Sequence, residues 1–395
     1  MTVHAPPGAD TVLVRHGDVN TKSNTVKRYM EDLLAENLEA LLSARSIPGE
    51  VERRWSRPLI HTESDAVEAA TDAATDTFGV VSASPSLTTS TEKARILEAL
   101  AETAREHYDG GTFAVEARRA DKSLPYDSED LGREAGNAIW AAVEDEFEPD
   151  VDLDDPDLTF GVEVREDAAF HYLEQRDGPG GLPLGSQEPV IALVSGGIDS
   201  PVAAYEMMRR GSPIVPAYVD LGDYGGIDHE ARAMETVRLL SDYAPNFDMQ
   251  VYRIPGGDTV DLLVRQMEQG RMLSLRRFFY RAAETLAARV NADGIVTGEA
   301  AGQKSSQTVR NLGVTSRATR LPIHRPLLTW DKQDIVARAR EIGTFSDSTI
   351  DAGCNRVTPD QVETNARLKP LLEHEPDDLL ERAEEAAKNA TLVEP

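Results

Sequence analysis

The stretch PVIALVSGGIDSPVAAYEMMRRG, residues 189–211, restricts the fold more than any other part of this chain. Residues 189–194 are an apolar run that reads as a strand, and residues 195–200 form a tight turn holding two glycines. Pro201 suits the first helical position, and Gly211 stands where a helix would stop. From about Glu188 onward, short apolar strands alternate with helical patterns, which predicts a parallel sheet covered on both faces. The glycines let the backbone N–H groups of Ser195, Gly196 and Gly197 approach a ligand, while the helix start adds unpaired donors and a positive dipole end. Such a loop suits phosphate. It lacks the G-K-[ST] of the Walker pattern, so a different class of nucleotide site is indicated.

Upstream, TVLVRHG predicts a strand and RYMEDLLAENLEALLSAR a helix. A β-rich run in EVERRWSRPLIHT and the helix-like DAVEAATDAATDT close an α+β domain over residues 1–77. A second domain, residues 78–176, runs from FGVVSASPSLTT through the helical EKARILEALAETAREHY and the alternating TFAVEARRAD. It continues with the helical DLGREAGNAIWAAVEDEF and ends in LTFGVEVRED. Residues 177–187 are rich in glycine and proline and read as a linker, leaving 188–395 for the parallel α/β domain.

The chain carries 69 acidic against 41 basic residues in 395, a formal charge of −28, and only eight of its cations are lysine. An acidic, lysine-poor surface combined with ordered apolar periodicity points to a high-salt cytoplasm. Phosphate binding in such a chain depends on local basic clusters rather than on net charge. Its single cysteine, Cys354, excludes an intrachain disulfide framework and any metal or iron–sulfur site needing several cysteines of one chain. No apolar run approaches the roughly 18 residues of a membrane span, and the N-terminus lacks a secretory pattern, so a cytoplasmic protein is expected.

The full SGGIDS, set after an apolar strand, resembles the pyrophosphatase loop of PP-loop enzymes, which split ATP between its α- and β-phosphates. The resemblance extends along nearly the whole chain to the ThiI family of tRNA 4-thiouridine synthetases. LVRHGDVNTKS is similar to that family's ferredoxin-like domain, and VEARRADKSLPYDSEDLGREAG to the THUMP RNA-binding domain. SGGIDSP, VTGEAAGQKSSQT, RPLLTWDKQDIVARAREIGTF and GCNRVTPDQVETNARLKP follow in the family's order.

The resemblance implies a ferredoxin-like domain, a THUMP domain and a PP-loop α/β domain. It implies ATP contacts at Leu193, Val194, Ser195, Gly196, Gly197, Asp199, Ser200, Tyr218, Val219, Arg276, Gly298 and Gln307, with magnesium carried on the ATP phosphates. It also implies a functional lysine at Lys332. By residue type alone, Leu193, Val194 and Val219 would suit any strand core, Gly298 any turn, and Asp199 a helix cap. Arg118, Arg119 and Lys122 form a local basic cluster whose alternatives are RNA contact or surface ion pairing.

The implied reaction adenylates O4 of a tRNA uridine, at position eight in the family, and replaces the oxygen with sulfur. DAGCNRV is polar and loop-like, with Arg356 beside the thiol to favour its thiolate, so Cys354 is expected to receive or transfer sulfur. The chain resembles a short, haloarchaeal form without the rhodanese-like domain of longer bacterial members, and the family's thiamine role rests largely on that domain. A cysteine desulfurase persulfide, sulfide or a carrier protein would supply the sulfur, and an external thiol would complete the cycle. A homodimer stays open. Other readings are another PP-loop adenylating enzyme, such as a different thiolase or an amidating ligase, and a non-catalytic tRNA-binding protein.

Overall fold

The computed structural model describes residues 5–17, 23–53, 58–120, 124–225, 227–345, 357–359 and 362–395. The chain divides into two compact units, Met1–Pro183 and Leu184–Pro395.

In the first unit, β1 (Thr11–His16) is followed by α1 (Asn24–Ala44), β2 (Glu50–Glu52), β3 (Leu59–His61), α2 (Val67–Thr75) and β4 (Val80–Thr89). Then come α3 (Lys93–His107), β5 (Thr112–Arg119), α4 (Ser128–Val143), β6 (Asp150–Val151), β7 (Leu158–Val164), β8 (Ala169–Tyr172) and β9 (Arg176–Asp177). Among the described residues these strands form one sheet in the order β2-β3-β1-β4-β8-β7-β5-β6, with β9 also on β4. The ten residues of β4 join the two halves of this sheet. Its N-terminal part runs antiparallel to β1, from Val80 opposite His16 to Ser86 opposite Thr11, and Leu87–Thr89 pair with β8. Every residue of β1 is buried, consistent with apolar cover on both faces. α1 presents Leu34, Leu38, Leu41 and Leu42 at helical spacing to a core shared with Val12, Val14 and Ile60. α3 and α4 cover the other half, where Ile96, Leu100, Leu131 and Ile139 meet Phe113 and Phe160.

The second unit begins with β10 (Val190–Val194), α5 (Asp199–Arg209), β11 (Ile214–Asp220), α6 (Ile227–Ser241), β12 (Val251–Pro255), α7 (Gly257–Gln266) and α8 (Arg271–Val290). It continues with β13 (Gly294–Val296), α9 (Val309–Thr315), β14 (Ile323–His324), α10 (Lys332–Glu341), α11 (Leu368–His374), α12 (Leu379–Lys388) and β15 (Thr391–Val393). Its sheet runs β14-β13-β10-β11-β12-β15; every neighbouring pair is parallel except β12 with β15. The chain therefore winds outward from β10 through β11 to β12, then crosses back to place β13 on the other side of β10. The carboxyl ends of β10 and β13 flank that switch point, which is where α/β sheets open a ligand crevice.

One local expectation is corrected. α5 starts at Asp199, so Pro201 is the third helical residue rather than the first. The loop winds directly into the helix, and a proline costs no hydrogen bond there because the first four N–H groups have no intrahelical acceptor. Gly211 follows the helix with φ of 91°, the left-handed conformation that ends helices and favours glycine.

Candidate active site

A cavity of about 460 Å³ opens at the switch point. Leu193 and Val194 end β10, Ser195, Gly196, Gly197, Asp199 and Ser200 come from the loop and the start of α5, and Tyr218 and Val219 come from the end of β11. Arg276 on α8, Gly298 after β13 and Gln307 before α9 complete the set, and every one of them lines this cavity. Residues separated by more than a hundred positions in the chain are brought together when the chain crosses back after β12 and lays β13 beside β10.

The loop is tied by its own hydroxyls. Ser200 Oγ accepts from the backbone N–H of Ser195 at 3.0 Å and lies 3.1 Å from Ser195 Oγ, which accepts from the N–H of Gly197 at 3.3 Å. Thus two of the N–H groups expected to face a ligand have internal partners. Close packing explains one glycine: a Cβ on Gly196 would stand 2.8 Å from His229 Nδ1 and 3.0 Å from its carbonyl oxygen. His229, near the start of α6, is buried and also lines the cavity.

Lys332 is the first residue of α10, and its Nζ donates to Asp199 Oδ1 at 2.6 Å. The pair bridges the first turn of α10 and the first turn of α5. The unfavourable position of a cation at a helix start is thereby offset by a carboxylate across the cavity wall.

Beneath Arg276 lies a network that sequence reasoning did not single out. Glu299, its side chain 3% exposed, accepts from Arg276 Nη1 through Oε1. Its Oε2 accepts from Arg325 Nε at 2.7 Å, from the Tyr280 hydroxyl at 2.6 Å and from the Thr297 hydroxyl at 3.2 Å. Burial pushes the Glu299 carboxyl up, but Arg276 and Arg325, with the hydrogen bonds, outweigh it and hold the carboxyl below its ordinary value. Burial and the Glu299 charge raise the Tyr280 hydroxyl, which stays a donor. The Gln307 amide, oriented so that its nitrogen donates to the carbonyl of Ala300 at 2.9 Å, accepts from Arg276 Nη2 at 3.1 Å. Arg276 is therefore held from two sides. Two guanidinium groups on one carboxylate leave a net positive charge under the cavity, which suits an anion. Glu299 and Arg325 lie inside motifs read from the sequence, VTGEA and RPLLTW, yet only the fold reveals that they meet.

The remaining candidates lie elsewhere. Arg118 and Arg119 end β5: Arg118 pairs with Glu116 at 3.3 Å on the surface, and Arg119 donates to the carbonyls of Leu124 and Tyr126, bracing the following segment. Lys122 and Cys354 lie outside the described residues. Thr358, however, lines the cavity, and Val357 is fully buried with its carbonyl accepting from Arg271 Nη1 at 3.1 Å. Among the described residues no group of three His, Cys, Asp or Glu side chains could by itself hold a metal ion, and no helix is long and apolar enough to cross a membrane.

Comparison with known proteins gives three family matches in chain order. They are the ThiI ferredoxin-like domain at residues 11–84, the THUMP domain at 91–174 and the thiamine biosynthesis protein (ThiI) family at 185–378. A probable tRNA sulfurtransferase of Halobacterium salinarum is 58% identical over 389 residues, covering 98% of both chains. Another from Methanosarcina acetivorans is 38% identical, covering 90% of this chain and 87% of its own. Among solved structures, a 4-thiouridine synthetase in complex with RNA and bound ATP superposes with a TM-score of 0.83 at 26% identity, covering 98% of this chain and 99% of the other. On this identity and coverage, the chain belongs to the ThiI family, together with these probable tRNA sulfurtransferases.

Proposed function

We propose that this protein is an ATP-dependent tRNA sulfurtransferase that converts a uridine, at position eight, to 4-thiouridine. The observation that carries the reading is the meeting of the SGGIDS loop, Arg276, Gly298 and Gln307 around one cavity, with Lys332 on Asp199 at its edge. A family relative whose structure contains RNA and ATP supports both substrates.

Oxygen at C4 of uracil is a poor leaving group. O4 attacks the α-phosphate of ATP, the bond to the β-phosphate breaks, and pyrophosphate departs. A sulfur nucleophile then adds at C4, and AMP leaves with the original oxygen. Leu193, Val194, Tyr218 and Val219 enclose the base end of the nucleotide, and Ser195, Gly196, Gly197 and Ser200 cradle its phosphates. Arg276, positioned by Glu299 and Gln307, and Lys332 place positive charge where it develops on the phosphoryl oxygens. Magnesium would be carried on the phosphates beside Asp199, one of the carboxylates lining the cavity, and would neutralise phosphate charge there. The target base must leave its stack to reach the cavity.

Cys354 receives the sulfur. Thr358, four residues further along the chain, lines the cavity, a covalent tether of at most about 14 Å between Cα atoms. A cysteine desulfurase persulfide passes its outer sulfur to the Cys354 thiolate and leaves as a thiol. The Cys354 persulfide adds at C4, an external thiol attacks Cys354 Sγ to free the 4-thiouridine, and a second external thiol reduces the resulting mixed disulfide, because the chain has one cysteine. Sulfide or a carrier's thiocarboxylate, already at the sulfide level, would instead attack C4 directly, without a persulfide on Cys354. The reaction takes place in the cytoplasm, where tRNA matures.

Nucleoside analysis of tRNA from a strain lacking this gene tests the reading. It expects 4-thiouridine to vanish and to return with the wild-type gene; its persistence in the deletion strain excludes the assignment.

A further inference from the structure

Between Glu299 and Asp331 the sequence contains no acidic residue, although 69 of the chain's 395 residues are acidic. The same stretch holds Lys304, Arg310, Arg317, Arg320 and Arg325. Arg325 is used by Glu299, whereas Lys304, Arg310, Arg317 and Arg320 are exposed and their side-chain cations form no ion pair among the described residues, although the Arg320 backbone N–H donates to Glu284 at 3.0 Å. Elsewhere in the unit Arg209, Arg238, Arg253, Arg265, Arg281 and Arg382 each pair with a carboxylate, while Arg289 and Arg340 lie over the rings of Tyr252 and Phe345.

The placement of these cations follows from the local fold. α9 passes into a 3-10 turn at Ser316–Ala318, and its inner side buries Asn311, Leu312, Val314, Thr315 and Ala318. Arg310, Gly313 and Arg317, spaced by three and four, fall on the opposite, open side. A Cβ on Gly313 would meet nothing within 4 Å, so the surface between the two arginines is unobstructed. Seven residues of helical rise separate them, about 10 Å. The Asn311 amide donates to the carbonyls of Ser305 and Glu363, fixing α9 against the segment that lines the cavity. Glu284, whose carboxylate meets the backbone N–H of Arg320, is already paired with Arg281.

We infer that the Arg310–Arg317–Arg320 face of the second unit docks the phosphate backbone of the RNA substrate beside the nucleotide cavity. The inference rests on the tRNA thiolase reading and adds a contact surface on the catalytic unit itself. Arginine suits the role because its planar guanidinium grips phosphate bidentately. In a chain with so much negative charge, and in strong salt with a Debye length of a few ångströms, only cations free of carboxylate neighbours attract a polyanion at contact range.

The test is tRNA binding by the full-length protein across a KCl series in which it stays folded. The triple variant Arg310→Gln, Arg317→Gln, Arg320→Gln should bind tRNA at least tenfold more weakly. The slope of log K against log salt should shrink by about two to three, while affinity for α,β-methylene-ATP is unchanged. The corresponding lysine triple should retain most of the slope, which a purely structural defect would not restore. Unchanged tRNA affinity and slope in the glutamine triple overturn the inference. So does normal tRNA binding accompanied by failed sulfur delivery, which would make the face a dock for an acidic protein. Wild-type protein without tRNA affinity would defeat the thiolase reading as well, and is thereby distinguishable.

Discussion

Gly298 packs directly on the backbone of Asp199: a Cβ there would stand 2.6 Å from the Asp199 carbonyl carbon, 2.7 Å from Ser200 N and 2.8 Å from Asp199 O. The end of β13 and the start of α5 thus approach too closely for any side chain. Because the obstacle is backbone, the helix start must shift to accept alanine. Gly298→Ala should cost about 1–3 kcal/mol in denaturant unfolding, as overpacking does, and should also weaken α,β-methylene-ATP binding by displacing the loop. Full nucleotide affinity in this variant would show that the helix start can move without cost to the site.

Lys332 and Asp199 form a pair whose side chains are 48% and 25% exposed. Such a pair contributes about 1 kcal/mol or less to stability. Lys332→Ala should therefore melt close to wild type while its single-turnover rate of 4-thiouridine formation falls by about 10²–10³, the cost of removing one stabilising group from a transition state. A large loss of melting temperature with little loss of rate would make the lysine structural.

Cys354→Ser keeps a small polar side chain but cannot carry a persulfide. Adenylation precedes sulfur entry in the proposed sequence. The variant should therefore release pyrophosphate from ATP in the presence of tRNA and form no 4-thiouridine. If 4-thiouridine appears at the wild-type rate, the thiol is outside the mechanism.

Much of this site is local in the sequence. The apolar run before SGGIDS and the glycine after the helix fixed a strand, loop and helix, because those elements depend on neighbours a few residues away. The start of α5 differed by two residues because the loop coils straight into the helix, which no residue type between 195 and 200 signals. Glu299 was illegible for another reason. Its partners Arg276, Tyr280 and Arg325 lie 19–26 positions away and meet only after β13 is laid beside β10. Arg118, Arg119 and Lys122 are close in sequence, and the local partners of the first two, Glu116 and the carbonyls of Leu124 and Tyr126, are set by the fold of their own segment. The acid-free stretch from Ala300 to Trp330 was visible as composition, but its exposed arginine stripe needed the helix that buries Asn311 and Leu312 on the other side.

Glu299 provides the sharpest test of how the cavity is built. Its carboxylate is buried and serves both Arg276 and Arg325. Removing that charge leaves two guanidinium groups without their anion, so Glu299→Gln should cost about 3–5 kcal/mol. The sign of its pH dependence follows from the depressed carboxyl. The unfolded chain binds the proton more readily, so the contribution is fully present above about pH 4.5 and is lost as pH falls through the folded value. Wild-type unfolding free energy should therefore drop in this acid window more steeply than that of Glu299→Gln. Glu299 lines the cavity and holds Arg276. An anion favours a phosphate ligand only by positioning that guanidinium, so its effect on α,β-methylene-ATP affinity should disappear when Arg276 is already alanine. Binding by Arg276→Ala/Glu299→Gln should match Arg276→Ala alone, measured under salt conditions where both remain folded. Additive losses would mean that Glu299 acts on the site by a route independent of Arg276.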